Sequence, residues 1–207
     1  IDDPFSKGLP LHQTSEKMIV GHFGSLSATR NLARMVEAFE HLRSHAPHIL
    51  QEMELHIYGG PLDPISEECI RSSSTRSHFR HFGRVEADPV SGVSGRELIL
   101  SKMRGVDVLL LLHGEEAICE EYIPSKMYEY LWMQRPILAQ VHRNAQMTAM
   151  LQSQHHHVIQ TGLDGISDAD AGAQFANALI RLWQTWKETA LPDSGARSPF
   201  TTAAAVK

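Results

Sequence analysis

The sequence has no apolar run approaching the ~20 residues that a bilayer-spanning helix needs, and it has no excess of positive charge. Its 19 Lys and Arg residues stand against 24 Asp and Glu, for a net charge of -5. Such a balance does not favour the basic face with which proteins neutralise a phosphate backbone, so nucleic acid is not an expected partner. Cysteine is scarce: Cys69 and Cys119 are the only 2 in 207 residues. Two thiols build no disulfide framework, and they fit a reducing compartment. The run His155-His156-His157 invites a metal reading. Neighbours along a strand point to opposite faces, however, and no Cys or carboxylate completes the set at useful spacing. No metal site is expected there.

What remains is an ordinary globular composition, 42% hydrophobic and 21% charged, with enough chain for one domain and a real core. The first residue is Ile1 rather than Met, so the chain is expected to be a piece of a longer polypeptide. On that reading residues 1–16 are a linker, 17–190 a folded domain, and 191–207 a tail of small and polar residues.

Apolar runs and amphipathic segments alternate along the domain. "KMIVGHFGSL" reads as a strand that breaks into a turn. Leu32, Met35, Val36, Phe39 and Leu42 then fall at helical spacing, with Thr29 as the expected N-cap and Pro47 past the end. "MELHIYGG" is a second strand, Ile65 to Ser72 a helix, and "HFRHFGRV" a short third strand. "EADPVSGVSG" is a loop by its turn residues, and "RELILSKM" a short helix. "VDVLLLL" is apolar on both faces, as a strand in the middle of a covered parallel sheet must be. Further strands follow at "PILAQV" and "HVIQTG", separated by a short helix near Gln146 to Leu151. The last helix carries Phe175, Leu179, Ile180, Leu182 and Trp183. This alternation predicts an α/β fold with a doubly wound, Rossmann-like parallel sheet. Right-handed crossovers place the carboxyl ends of all strands on one edge, where ligands of such sheets bind.

Three turns on that edge carry candidate chemistry. In "GHFGSLSATRN", Gly21 and Gly24 permit a sharp turn and close backbone approach, and Arg30 adds positive charge near a helix N-terminus. In "EEYIPSKMYEYLWMQRP", Pro124 suits the first turn of a helix, which Ser125 and Lys126 continue. A cation there opposes the helix dipole unless an anion is bound beside it. Glu121 precedes this helix and Glu129 lies within it, so the two carboxylates do not share a face. The bland alternative is a helix that packs Met127, Tyr128, Leu131 and Trp132 inward and leaves its charges in water. The third turn, Phe82 to Val85, offers backbone groups to a planar base. His22 and His113 also fall near strand ends, as ligand contacts or as structural residues.

Taken in order, "FGSL…R", "LHIYG", "FRHFGRV", "VDVLLLL", Glu121 and Glu129 separated by seven residues, and then "RPILA" resemble a known family. It is the carboxy-terminal domain of retaining glycosyltransferases of the GT-B fold (glycosyltransferase family 4, group 1). "PSKMYEYL" is similar to one subset's form of the helix, and the likeness runs from about Lys17 to Trp186. The resemblance implies one half of a GT-B enzyme, with a nucleotide diphosphate sugar as donor substrate. A separate amino-terminal domain of the same polypeptide would bind the acceptor, a glycan or lipid-linked saccharide. It implies a cytoplasmic setting, with peripheral association at the inner face of the membrane through that other domain.

By position, the resemblance implies that Gly24 and Ser25 face the donor diphosphate and that Arg30 takes the place of the family's phosphate-binding Lys. Glu121 would contact hydroxyls of the transferred sugar and Glu129 those of the ribose. Val85 would lie near the base, while Ser125 and Lys126 would reach the diphosphate. Glu121, Arg30 and Lys126 thus form the expected catalytic set, with no metal and no other cofactor, and no Asp-x-Asp metal motif is expected. Two departures stand out. The family usually has Arg where this chain has Ser25, and a Gly where it has Gln134. Lys126 could replace the missing cation. Gln134 would have to adopt a left-handed conformation or end the helix differently. A nucleotide-sugar epimerase or phosphorylase of the same fold, and a degenerate domain that only binds a nucleotide or a protein, remain as competing readings.

Overall fold

The computed structural model describes residues 15–163 and 170–189. The linker and tail segments therefore lie almost wholly outside the described residues. Six strands, β1 (Met18–Phe23), β2 (Met53–Tyr58), β3 (Phe79–Gly83), β4 (Val108–Leu112), β5 (Ile137–His142) and β6 (His157–Thr161), form one sheet in the order β3-β2-β1-β4-β5-β6. Every pairing is parallel. The chain enters in the middle, winds out through β2 and β3, then crosses back to β4 and winds the other way. The reversal falls between β1 and β4, and there the fold opens a crevice at the carboxyl ends of the strands.

Among the described residues seven helices cover the sheet: α1 (Ala33–His45), α2 (Pro47–Gln51), α3 (Pro64–Ser72), α4 (Gly95–Gly105), α5 (Ser125–Trp132), α6 (Ala145–Gln152) and α7 (Ala171–Thr189). Burial on both faces explains the uninterrupted apolar run of β4. Val108, Leu110 and Leu112 pack with α1 and α7, while Leu109 and Leu111 pack with α4, α5 and α6. Successive strand residues point to opposite layers, so each layer takes its own half of the run. In the last helix Trp183 and Trp186 pack against the first layer, and the Trp183 indole donates to Glu52 Oε2 at 3.1 Å.

Helix starts follow local capping chemistry. The Asp63 side chain accepts from the backbone N–H groups of Ile65 and Ser66, and Ser94 with Glu97 forms a capping box on α4. Thr29 does not cap α1: the helix begins at Ala33, and Asn31 Oδ1 accepts from the Ala33 N–H at 3.0 Å. Thr29 instead donates its hydroxyl to Glu116 at 2.5 Å. Pro47 does more than follow α1, since it opens the separate short helix α2.

Helix α5 buries Met127, Tyr130, Leu131 and Trp132. The face is set by Tyr130 rather than by Tyr128, which is only partly buried. The helix ends through Gln134 with φ 53°, the left-handed conformation that a Gly would adopt more easily. Buried Tyr130 reaches under the crevice. Its hydroxyl accepts from the Phe23 N–H at 3.1 Å and donates to the Leu110 carbonyl at 3.4 Å. Tyr130→Phe strands a buried N–H at the end of β1 and should cost about 1–3 kcal/mol, read as a lowered urea midpoint with an unchanged slope.

Candidate functional site

The crevice exists because three strand pairings end at different heights. Pairing of β1 with β4 stops at His22 and Leu110. Pairing of β1 with β2 continues to Phe23 and Tyr58, and that of β4 with β5 to Leu112 and Gln140. Beyond His22 the chain turns at Gly24, whose φ of +118° lies in the region that favours glycine. The Gly24 N–H donates to the Tyr58 carbonyl at 2.7 Å, and the Gly59 N–H to the Gly83 carbonyl at 2.9 Å. A Cβ at Gly59 would collide with the Gly24 carbonyl, so these two turns are pressed backbone to backbone. Gly21, by contrast, lies inside β1, and a Cβ there would strike Phe23 and Val106. It is a packing glycine and takes no part in the turn.

Lys126 fills the space above Gly24: a Cβ at that glycine would run into the Lys126 ammonium. Burial, then the charge of Arg30, brings the Lys126 pKa down from 10.5 to about 8, with Glu129 pulling the other way. Arg30 does not sit at the start of α1 but in the loop before it, where its Nε donates to the Ser25 carbonyl at 3.2 Å. Two cations therefore bracket the Gly24–Ser25 turn, one from the loop after β1 and one from the first turn of α5. Among the described residues neither cation is in an ion pair with a carboxylate. An anion on this turn would remove the repulsion between the two cations.

Gly24, Ser25, Val85, Lys126 and Glu129 all line one cavity of about 350 Å³. The fold also brings Tyr58, Arg84 and Arg96 to its walls. Arg96 Nη1 meets Glu129 Oε1 at 2.8 Å across the pocket. Arg96 is half exposed, so the pair adds little stability, but it fixes the direction of the carboxylate. Three rings stack toward the rim: Phe23 on Tyr58 at 4.9 Å, and Tyr58 on the exposed Phe82 at 4.8 Å. One signal for Arg96 was present in the sequence, because the capping box Ser94-x-x-Glu97 places it in the first turn of α4. Nothing local marked Arg84.

Three candidate residues fall outside that lining. Glu121 is exposed and follows a 3-10 turn at Ala117–Glu120; Ser125 is exposed at the start of α5; Arg30 reaches the cavity through its charge on Lys126. The loop carrying Glu121 is nevertheless firmly held. His113 Nε2 donates to the Tyr122 carbonyl at 3.1 Å, and Asn144 Nδ2 donates to the carbonyls of Cys119 at 3.0 Å and Tyr122 at 3.3 Å. His22 is a strut of the same kind. Its Nδ1 donates to the Leu110 carbonyl at 3.3 Å, and burial with the Lys126 charge pushes its pKa down to about 3, so it is neutral.

The histidine run is divided by its strand. His156 Nδ1 accepts from the Ile137 N–H at 3.3 Å, and His155 is exposed. Among the described residues no group of three or more His, Cys, Asp or Glu is placed to hold a metal. One Asp-x-Asp triplet does occur, contrary to expectation, with Asp168 and Asp170 after β6. Asp168 lies outside the described residues. Among the described residues no helix is long and apolar enough to cross a membrane.

No protein-family model and no curated protein matches the sequence. Solved structures do match its fold. The fold is that of one half of a GT-B glycosyltransferase. The chain is similar to Anabaena Alr3699/HepE in complex with UDP-glucose, with a TM-score of 0.58 at 13% identity, over 88% of this chain and 43% of that one. The α,α-trehalose-phosphate synthase (UDP-forming) from Burkholderia vietnamiensis gives a TM-score of 0.57 at 14% identity, over 88% and 38%. The pneumococcal O-GlcNAc transferase GtfA in complex with UDP and GlcNAc gives 0.55 at 15% identity, over 88% and 32%. This chain thus spans less than half the length of each. At these identities the likeness is one of fold.

The Lys126 environment has a pH signature with a fixed sign. At neutral pH the ammonium is charged in both the folded and unfolded chains, and folding bears the full cost of burying it. Between about 8 and 10.5 the folded chain has released a proton that the unfolded chain keeps, so stability rises with pH. Lys126→Met should therefore be more stable than the parent at neutral pH, and the advantage should shrink as pH passes about 8. Urea unfolding of both chains across that window measures it.

Proposed function

We propose that this chain is the donor-binding domain of a retaining glycosyltransferase, which takes a nucleoside diphosphate sugar into the crevice between β1 and β4. The observation that carries the reading is the pair of cations, Lys126 against Gly24 and Arg30 on the Ser25 carbonyl, neither in an ion pair with a carboxylate among the described residues. Two proteins of similar fold were solved with UDP or a UDP-sugar bound, and they support the class of ligand. The transfer itself belongs to a longer polypeptide whose amino-terminal domain holds the acceptor, a glycan or a lipid-linked saccharide. In that setting the protein works in the cytoplasm, against the inner face of the membrane.

The roles follow from charge and position. The diphosphate lies on the Gly24–Ser25 turn, between Arg30, Lys126 and the N–H groups opening α5 at Ser125. Glu129, aimed by Arg96, accepts from the ribose hydroxyls, and the backbone at Val85 faces the base. Glu121 stands on its pinned loop to orient the transferred sugar. As the bond to the sugar breaks, negative charge grows on the leaving diphosphate. Fixed cations already in place stabilise that charge without solvent reorganisation, the task that a divalent metal performs elsewhere. Lys126 supplies the positive charge that Ser25 does not. Because its pKa lies near 8, binding a diphosphate there draws a proton onto the protein at mildly alkaline pH.

Calorimetric titration with uridine, guanosine and adenosine diphosphates tests this. One of them should bind selectively, and its affinity should fall as pH rises through about 8. Lys126→Ala and Arg30→Ala should each weaken it by about 10- to 100-fold, as loss of a charge-assisted contact does. Absence of binding by all three, or unchanged affinity in both variants, would sink the assignment.

A further inference from the structure

A second cavity, of about 210 Å³, shares the loop between β1 and α1 with the donor crevice but opens on the α1 side of the sheet. Ala33 and Ile65 are its apolar members, and the rest of the wall is polar: Thr29 and Asn31 from that loop, Arg34 and Glu37 from α1, Glu115 from the loop after β4, and Gln140 from β5. Gln140 is the unexpected member. It is only 3% exposed, on the same face of β5 as core residue Leu138, in a strand otherwise apolar up to His142. Its backbone carbonyl accepts from the His113 N–H, but its side-chain amide has no hydrogen-bond partner among the described residues. A buried amide carries two donors and an acceptor that a folded protein normally satisfies. Aimed into a cavity, it is a recognition group waiting for a partner.

The neighbouring groups narrow the class of that partner. Asn31 is committed to the Ala28 carbonyl and the Ala33 N–H, Thr29 to Glu116, and Arg34 to Glu115 at 2.7 Å. That leaves the Gln140 amide, the Glu37 carboxylate and the second oxygen of Glu115. With two carboxylates against one paired arginine, the lining repels anions. Hydroxyl groups suit it, since each can donate to a carboxylate and accept from the amide. The volume is below the roughly 300 Å³ at which drug-sized sites begin, so one ring fits and a long chain does not. We propose that this cavity binds a single neutral saccharide unit through Gln140, Glu37 and Glu115, beside the donor crevice and separate from it. This assignment does not depend on the donor reading.

Amide NMR of the isotope-labelled full chain tests it, with glucose and N-acetylglucosamine as probes and inorganic phosphate and ethylammonium as controls. One of the sugars should give saturable millimolar shifts at the Gln140 side-chain amide and at Thr29, Glu37 and Glu115. Gln140→Leu and Glu37→Ala should each weaken that binding by about tenfold. Glu37 is exposed, so its variant keeps the test valid where loss of Gln140 harms folding. No saturable shift with either sugar, the same response in both variants, or a stronger response to phosphate or ethylammonium would overturn the proposal. Titration of the same samples with nucleoside diphosphates reads the crevice independently, so failure of one site is distinguishable from failure of the other.

Discussion

The site depends on how β1 and β4 are kept together below the point where they part. Their ladder ends at His22 and Leu110, and past it the two chains must diverge to leave room for a ligand. The Leu110 carbonyl receives both the His22 Nδ1–H and the Tyr130 hydroxyl, while that hydroxyl also holds the Phe23 N–H. Two side chains thus continue the work of the ladder where backbone pairing has stopped. Tyr130 belongs to α5, so the same contact seats the helix whose first turn carries Lys126 and whose second carries Glu129. The height of the crevice floor and the position of its cation are therefore one structural fact.

This arrangement accounts for a lysine at the positive end of a helix. Burial and Arg30 both disfavour its charge, and Glu129 restores only part of it. Side chains that merely fill space above a glycine need no charge, and Met would serve there with less cost. On the proposed reading that cost is recovered when an anion binds, as preorganisation of a binding residue requires. Ser25 matters for the same reason. Its side chain brings no charge, but its carbonyl orients Arg30, so the second cation is positioned by the backbone of the turn it faces.

The fold was legible because its cause is periodic. Apolar runs of five to six residues between amphipathic segments admit few arrangements other than a parallel sheet covered on both sides, and each strand fell where its run did. Of the two endings that the sequence left open at Gln134, the chain takes the left-handed one. What failed were inferences from one residue type. Gly21 looked like Gly24, but only contact with Phe23 and Val106 distinguishes a packing glycine from a turning one. Thr29 looked like an N-cap, yet its hydroxyl went to Glu116, 87 residues away. Arg84 joins the pocket because of tertiary packing that no local pattern encodes, and the capping box that starts α4 places Arg96 in its first turn without saying which pocket it faces.

Those long-range contacts also explain why the loop after β1 can serve two cavities. Its first half, Gly24 and Ser25, is fixed by backbone bonding to β2 and by Arg30. Its second half is fixed by Thr29 to Glu116 and, through α1, by Arg34 to Glu115. The same two glutamates belong to the segment that leads from β4 to Glu121. A group bound on the α1 side at Glu115 would therefore touch the segment that leads to Glu121 and, through Glu116 and Thr29, the loop that begins at Gly24. The sheet order supplies the crevice, and the polar residue inside β5 supplies the buried amide on which the second cavity is built.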